Sequence, residues 1–420
     1  MVTGPHVRDS CRLCSSPKLE PVLSLTPTPP ANELLGDRAS SLSQDAYGLG
    51  LSECGACGHV QLLTVVDPSR LFGDYVYLTG SSPGLVLHFK ATAAHLSDRL
   101  SLKPGAFIVE VGSNDGTLLG FFKDRGMRVL GIDPAIETAR AATEAGVRTV
   151  PGFLTPTMAE AVTAEEGRAH LVVANNVFAH VDDLASMADA VREIMHPFGV
   201  FVFEVQYLVD LVDKGLFDMI YHEHLSYHHV GPLIPFFAGL GMSLFDVERI
   251  GTHGGSIRCY VDFGDRRPTG RVRELRELEA SMGLRAPGIP PRSSDHALRR
   301  LSDKIGKARE DLLSVLQSVD YAGGERVAGY GAPAKATTLI HHFGLQEFLQ
   351  FVVDDNPLKQ DKFIPGTDIP ILSSAALDHM APDHLLILAW NYADDIMRKC
   401  EDFHRRGGRF IVPFPEVREI

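Results

Sequence analysis

The chain has 420 residues, of which 45% are hydrophobic and 22% are charged, and its formal net charge is −13. This length predicts two or three domains, and the composition is that of a globular protein rather than a disordered or membrane chain. The negative charge argues against nucleic acid as a partner, because such binding relies on basic patches that neutralise phosphates. The sequence has no apolar run of the roughly 20 residues that span a bilayer and no signal-peptide pattern, so we expect a cytoplasmic protein without a membrane partner.

Four of the six cysteines occur as two C-x-x-C pairs near the start of the chain, "CRLC" and "CGAC". At this spacing two thiolates converge on one tetrahedral ion, and a reducing compartment favours zinc over disulfides. We therefore predict a structural zinc site in a module of short strands and turns over residues 1–78, with the ligands Cys11, Cys14, Cys54 and Cys57. The alternative is two turns that carry free thiols.

Strands and helices alternate over residues 79–265. "AFIVEVGSNDGTLLGFFKDRG" indicates strand, glycine turn and helix, and "RVLGIDP", "HLVVANNV" and "GVFVFEVQ" indicate further strands. This alternation predicts an α/β domain with a doubly wound parallel sheet.

The turn "EVGSNDG", residues 110–116, is the predicted cofactor site. Its E-x-G-x-x-x-G spacing is that of class I methyltransferases that use S-adenosylmethionine, and it departs from the G-x-G-x-x-G of dinucleotide sites. The next strand ends in an aspartate, which can accept hydrogen bonds from ribose hydroxyls. A dinucleotide site or a packing turn is the alternative. The predicted cofactor-binding residues are Glu110, Gly112, Asn114, Gly116, Asp133, Asn175 and Asn176.

A linker over residues 266–300 and a second, smaller α/β unit over residues 301–420 are predicted next. The turn "GYGAPAKATT" has the G-x-G-x-x-A form of the dinucleotide fingerprint, and Asp354 ends the following strand. Backbone N–H groups and Lys335 could hold phosphates there. A plain tight turn is the alternative.

The string "YHEHLSYHH", residues 221–229, holds four of the 18 histidines. It lacks the H-E-x-x-H spacing of a zinc-binding helix, since Ser226 stands where the second histidine would fall. The alternatives are a metal site, a solvated loop and a proton-transfer site. A methyl donor favours the last of these, because methylation of carbon requires that a proton first be removed and imidazole is suited to do so.

Five motifs in this order resemble the sugar C-methyltransferases that add branching methyl groups to nucleotide-linked deoxysugars: the paired cysteine knuckles, "EVGSNDGTLL", "YHEHLSY", "HGGSIR" and "GYGAPAKATTL". The chain is most similar to the 3-C-methyltransferases of dTDP-3-amino-4-keto-6-deoxysugars. The resemblance implies a zinc-binding module, a central S-adenosylmethionine domain and a C-terminal Rossmann-like domain that helps to hold the sugar nucleotide. It also implies deprotonation at C3 beside the C4 ketone, and methyl transfer to the enolate with inversion.

The resemblance also implies site residues. His224 is the expected general base, and His180 or Tyr221 is expected to relay the proton or stabilise the enolate oxygen. The other implied catalytic residues are Glu223 and Tyr75. The implied contacts to sugar or pyrophosphate are His253, Ser256, Arg258, Tyr330 and Lys335.

Three readings of the function stay open from the sequence. The first is C3-methylation of an NDP-4-keto-6-deoxysugar, the second is methylation of an oxygen or nitrogen acceptor, and the third is a nucleotide-sugar oxidoreductase or binding protein. The methyltransferase-type turn at Gly112 favours the first two, whereas the fingerprint-like turn at Gly329 favours the third.

Overall fold

The computed structural model describes residues 4–73, 78–264, 266–288 and 296–420. The N-terminal part is built from short antiparallel strands and two short helices. The helices begin at aspartate caps: Asp37 accepts a hydrogen bond from the Ser40 N–H, and Asp67 accepts one from Ser69. Its elements are β1 (His6–Val7), β2 (Leu19–Thr28), α1 (Arg38–Leu42), β3 (Tyr47–Cys54), β4 (Val60–Leu62), β5 (Thr64–Val65) and α2 (Pro68–Phe72).

The central part holds a seven-stranded sheet in the order β12-β13-β10-β9-β6-β7-β8, in which β13 alone runs antiparallel to its neighbours. Its elements are α3 (Pro83–Arg99), β6 (Phe107–Val111), α4 (Thr117–Asp124), β7 (Arg128–Asp133), α5 (Ile136–Glu144), β8 (Thr149–Pro151), α6 (Pro156–Glu166), β9 (Ala169–Asn175), α7 (Leu184–Ile194), β10 (Met195–Gln206), α8 (Leu208–Lys214), β11 (Ser226–Tyr227), α9 (Val230–Gly239), β12 (Met242–Ile250) and β13 (Ser256–Phe263). The middle strands are buried on both faces by helices, as in other parallel sheets. The predicted doubly wound sheet is therefore confirmed.

The C-terminal part is a second sheet in the order β16-β17-β15-β14-β18-β19-β20, with parallel central strands and antiparallel edges. The elements are α10 (Gly270–Ser281), α11 (Ala297–Gln317), β14 (Val327–Tyr330), α12 (Ala334–Phe343), β15 (Leu349–Val353), β16 (Lys362–Phe363), β17 (Pro370–Leu372), α13 (Ala376–Met380), β18 (His384–Ile387), α14 (Ala393–Lys399), α15 (Glu401–Arg405), β19 (Arg409–Val412) and β20 (Arg418–Glu419). No helix within the described ranges has the length and apolar character needed to cross a bilayer.

Two elements tie the parts together. Strand β11 lies inside the histidine string of residues 221–229. It pairs with β4 and so joins the N-terminal sheet. Helix α10 lies inside the segment 266–300 that is predicted as a linker, and its buried Glu279 accepts hydrogen bonds from the N–H groups of Val230 and Gly231 at 2.7 and 2.9 Å. A carboxylate at the N-terminus of α9 is favoured by the helix dipole. This segment therefore packs on the central domain, and the division into domains stays a prediction.

Candidate active site and metal centre

The glycine turn lies between β6 and α4, at the carboxyl edge of the central sheet. Gly112 and Gly116 have φ angles of 68° and 78°, and a Cβ on Gly112 would come within 2.3 Å of a methyl carbon of Val177. Asp133, at the end of β7, accepts hydrogen bonds from the N–H groups of Asn114 at 2.7 Å and Ala135 at 2.9 Å. The turn therefore requires glycine, and the aspartate braces it from the neighbouring strand.

Glu110 and Asn175 end the neighbouring strands β6 and β9, and the Asn175 side-chain amide lies 3.4 Å from a Glu110 carboxylate oxygen. The second carboxylate oxygen and the Asn175 side-chain oxygen are buried, and neither has a hydrogen-bond partner among the described residues. Burial raises the pKa of Glu110 well above its usual value. Buried polar atoms without partners at a strand edge fit a ligand that brings donors of its own, such as the ammonium group of S-adenosylmethionine.

Next to this edge, the rings of His180 and His224 are stacked, with their centroids 5.2 Å apart and their planes inclined by 20°. The Phe72 ring is stacked with His180 at a centroid distance of 5.5 Å, and the centroid of the Tyr221 ring lies 4.2 Å from that of His224. Both imidazoles remain partly exposed. Two partly exposed histidines from separate segments are therefore in contact, with aromatic rings around them.

The protonation of His224 follows from its hydrogen bond. Its Nδ1 lies 2.7 Å from the carbonyl oxygen of Met219, and because a carbonyl only accepts, Nδ1 carries the proton. The lone pair is therefore on Nε2. Burial, together with nearby His253 and against the hydrogen bond to Met219, lowers the pKa of His224 to about 4, so the ring is neutral at pH 7. A neutral imidazole with a free lone pair is the form required of a general base.

The other histidines of the string have different surroundings. His222 is buried against the Tyr47 carbonyl, 3.3 Å from Nε2, and burial lowers its pKa to about 4. His228 is buried beside Phe178, and His229 lies between the Gly58 carbonyl at 3.0 Å and Glu279 at 3.2 Å. Of the four histidines, His224 is thus partly exposed, whereas the other three are buried.

Glu223 is 2% exposed and accepts a hydrogen bond of 2.6 Å from the side chain of Asn32, a residue of the N-terminal part. The structure therefore directs Glu223 toward the N-terminal part. The fifth predicted catalytic residue, Tyr75, lies outside the described residues.

The motif "THGGSIR" divides between two places. His253 adopts a left-handed conformation with φ of 51°, and its Nε2 lies 3.2 Å from the Asn176 side-chain nitrogen, beside the cofactor edge. Ser256 is buried and donates to the Thr252 carbonyl at 3.0 Å. Asn176 also has a positive φ of 55°. His253 and Asn176 are therefore held together at the pocket, whereas the hydroxyl of Ser256 is used within its own turn.

Arg258 is 5% exposed and lies on the face of the sheet that packs against α3. Its Nε donates to Glu204 at 2.7 Å and its Nη2 donates to Thr92 at 2.8 Å. Both ends of the guanidinium fork therefore have partners within the protein, and the predicted contact of Arg258 with pyrophosphate would require that these partners be exchanged.

Tyr330 and Lys335 belong to the second glycine turn. The Tyr330 hydroxyl donates to Asp355 at 3.0 Å. The Lys335 ammonium, on a residue 7% exposed, hydrogen bonds to Asn391, lies 3.4 Å from Asp218, and sits 4.3 Å from the centroid of the Trp390 ring. Lys335 thus joins α12 to the turn that carries Met219, the partner of His224, and is not turned toward open solvent.

The glycine turn of the C-terminal sheet is braced in the same way as that of the central sheet. Asp354 accepts a hydrogen bond of 2.7 Å from the Ala332 N–H, as Asp133 does from Asn114. The central turn with this contact is the predicted cofactor site, so the same contact in the C-terminal turn fits a nucleotide site as well as a structural turn.

The four cysteines of the two knuckles form the predicted metal centre. Their sulfur atoms all lie within 4.8 Å of one another, with Sγ–Sγ separations of 3.6 Å for Cys11 and Cys57 and 3.5 Å for Cys14 and Cys54. Tetrahedral zinc with bonds of about 2.3 Å places its sulfur ligands roughly 3.8 Å apart. The donor set therefore fits structural zinc and leaves no open ligand position. Among the described residues, this is the one such group of potential metal ligands.

Sequence reasoning overlooked the residues that hold these groups in place, chiefly Met219, Asp218 and Arg12. The first acts through its backbone carbonyl, which has no sequence signal. Arg12 could have been noticed as a charged residue inside a metal knuckle, but its contacts to the distant Asp182 exist only in the folded chain.

The parallel sheet, the glycine turn with its carboxylates and the four-cysteine cluster together define a class I methyltransferase with an appended zinc-binding domain. Family models match in the same order: "putative zinc binding domain" at residues 11–72, "methyltransferase domain" at residues 87–238 and "C-methyltransferase C-terminal domain" at residues 251–415.

Among characterised relatives, the C-methyltransferase NovU of Streptomyces niveus is 35% identical over 415 residues, covering 98% of this chain and 97% of NovU. A ubiquinone biosynthesis O-methyltransferase of Methylobacterium sp. (strain 4-46) is 38% identical over 113 residues, which is 26% of this chain and 44% of that protein. The magnesium protoporphyrin IX methyltransferase ChlM of Synechocystis PCC 6803 with bound SAH aligns with a TM-score of 0.34 at 14% identity, over 43% of this chain and 84% of that one. The chain belongs to the C-methyltransferase family and is an S-adenosylmethionine-dependent enzyme of that family.

Proposed function

We propose that the protein methylates C3 of an NDP-4-keto-6-deoxysugar, with dTDP as the expected nucleotide, and that His224 is the general base. One observation carries the proposal: the Met219 carbonyl fixes the proton of His224 on Nδ1, which leaves Nε2 neutral in a partly exposed pocket. Methylation of carbon requires that a proton first be removed, and a neutral imidazole with an available lone pair supports that step.

Three residues are assigned roles in the reaction. His224 Nε2 takes the proton from C3, and the electron pair left on the sugar moves into an enolate whose oxygen is the former C4 ketone. The rings of His180 and Tyr221 contact the ring of His224, and we assign to them the donation of a hydrogen bond to that oxygen. Attack of the enolate carbon from the face opposite the departing proton gives inversion at C3.

The cofactor is assigned to the edge formed by the glycine turn and the ends of β6, β7 and β9. Glu110 and Asn175 bring buried oxygen atoms that have no described protein partner, and Asp133, which also accepts from the turn, is assigned to the ribose hydroxyls. S-adenosylmethionine, when bound, supplies a methyl group bonded to a positively charged sulfur. Zinc at the four cysteines has no open position and is assigned a structural role.

The test is incubation of the enzyme and S-adenosylmethionine with a panel of dTDP- and GDP-linked 4-keto-6-deoxysugars, with or without a 3-amino group. The proposal predicts a product that gains one CH₂ unit by mass, with the new methyl carbon at C3. In D₂O the enzyme with sugar should exchange the C3 hydrogen. Exchange and methylation at C5, the other carbon beside the ketone, would move the reaction site, and a methyl group found on oxygen or nitrogen would overturn the enolate.

A separate measurement addresses the oxidoreductase alternative. Consumption of NADH or NADPH, followed by absorbance with the same sugar panel, should stay at background because the chain belongs to the C-methyltransferase family. Turnover of the nicotinamide would favour the oxidoreductase alternative.

A further inference from the structure

Arg12 lies within the first zinc knuckle, but its side chain leaves the metal centre and is completely buried. Its Nη1 donates to the carbonyl oxygens of Leu62 at 2.6 Å and Leu225 at 3.3 Å. Its Nε donates to a carboxylate oxygen of Asp182 at 3.0 Å, and Nη2 lies 3.0 Å from the same oxygen. One guanidinium therefore contacts two separate segments of the central domain.

These two segments carry the pocket histidines. Leu225 directly follows His224, and Asp182 stands two positions after His180. The Leu225 N–H also donates to the Ala179 carbonyl at 2.9 Å, so the two segments already touch through their backbones. The two segments are therefore linked twice, once by this backbone hydrogen bond and once by the guanidinium of Arg12.

The backbone of the knuckle is anchored to the same strands. The Arg12 N–H donates to the Gln61 side-chain oxygen at 2.9 Å, and Gln61 pairs with Ser226 in the register of β4 and β11. The metal centre thus connects to the segment after His224 through both backbone and side chain. A buried, charge-assisted fork is more rigid than a single neutral hydrogen bond.

We propose that Arg12 is a positioning residue: it holds the His180 and His224 segments at their observed separation, and so makes the zinc knuckle a support for the active site. The effect on turnover rests on the proposed function of His224, whereas the effect on the position of the ring does not. A displacement of about 1 Å of a reacting group can lower the rate by roughly 10²-fold, which sets the expected size.

The experiment uses the full-length zinc-loaded enzyme and the variants Arg12→Met, Arg12→Lys and Asp182→Asn. The matched control is Arg8→Met, because Arg8 also pairs with Asp182, at 3.1 Å, but donates to Ser10 and Asp182 rather than to Leu225. For each protein we would measure zinc content, the Kd of S-adenosylmethionine, kcat and KM for the most active dTDP- or GDP-linked 4-keto-6-deoxysugar of the panel, and the ring ¹⁵N chemical shifts that report the tautomer of His224.

We expect Arg12→Met to lower kcat by about 10²-fold and to change the ¹⁵N shifts of His224, with zinc content and cofactor Kd as in the wild type. Arg12→Lys should restore little, since an ammonium cannot reach both segments. Arg8→Met should stay within about threefold of the wild-type kcat. If Arg12→Met does not fold, Asp182→Asn tests the proposal, and we expect it to show a smaller loss of kcat and a smaller change in the ¹⁵N shifts of His224.

Wild-type kcat and wild-type ring shifts in Arg12→Met or Asp182→Asn would overturn the positioning role, as would an equal loss in Arg8→Met. A failure of the proposed function gives a different result. In that case a His224 variant keeps full turnover, while the ¹⁵N shifts of His224, measured in the Arg12 variants, still report whether Arg12 holds the ring.

Discussion

Replacing His224 by asparagine removes the proposed basic nitrogen, Nε2, while it keeps a donor in the place of Nδ1, the nitrogen that anchors the ring. The asparagine amide can place an N–H close to the position of Nδ1 and keep the bond to the Met219 carbonyl, which is 2.7 Å long in the native protein. It has no atom in the place of Nε2. A positioned general base contributes about 10²–10⁴-fold, so we expect kcat to fall by that factor, which corresponds to roughly 2.7–5.5 kcal/mol of transition-state stabilisation.

The assay is formation of S-adenosylhomocysteine with the best sugar nucleotide of the panel, together with exchange of the C3 hydrogen in D₂O. His222→Gln is the matched control, since glutamine keeps a donor near Nε2, the atom 3.3 Å from the Tyr47 carbonyl, and this ring is buried away from the pocket. We expect the control to retain kcat within about threefold and both variants to keep the wild-type Kd for S-adenosylmethionine. A His224→Asn enzyme that still exchanges the C3 hydrogen at the wild-type rate would refute the base assignment.

Four further outcomes are expected. Because burial lowers the pKa of His224 to about 4, kcat/KM should stay level as the pH falls from 8 to about 5, and a decline centred near 6.5 would contradict the buried, neutral ring. Burial raises the pKa of Glu110 in the folded state, so this residue lowers the stability of the fold as the pH rises above its pKa in the unfolded chain, about 4.3. The stability gained by Glu110→Gln over the wild type should therefore be larger at pH 8 than at pH 5 in urea unfolding. The same variant should bind S-adenosylmethionine more weakly in calorimetry. Cys54→Ser should lose zinc, measured by metal analysis, and lower the melting temperature, and a variant with full zinc content and unchanged melting would argue against the four-sulfur site. Lys335→Met leaves the buried Asp218 without its ammonium partner and should cost about 3–5 kcal/mol in urea unfolding, with little change in KM for the sugar nucleotide; a large rise in KM without loss of stability would instead support a phosphate contact.

The spacing of small motifs was sufficient for the fold class and the metal centre. Two C-x-x-C pairs predict four thiolates because each knuckle brings its own two sulfurs together locally, and the structure confirms the cluster. The glycine turn could be read for the same reason: Gly112 and Gly116 adopt positive φ angles that other residues rarely take, so the turn has a local sequence signature.

The assignment of roles within "YHEHLSYHH" was less accessible, because four identical side chains in one short string carry no mark of which way each points. Folding buries His222 against the N-terminal part, places His229 between Gly58 and Glu279, and leaves His224 beside His180. These environments come from residues 40 or more positions away in the sequence, so spacing could not predict them.

The same limit applies to the charged residues expected to bind phosphate. Arg258 and Lys335 were assigned by residue type, but in the folded chain Glu204 and Asp218 are their partners. A charge in a protein interior is stable only beside a compensating group, and the identity of that group depends on which strands become neighbours. The sequence alone thus determined the alternation of strands and helices, the glycine turn and the two cysteine pairs, all of which have short-range signatures. The tertiary structure decided which imidazole is free to act and which charges are already paired, because both depend on long-range burial.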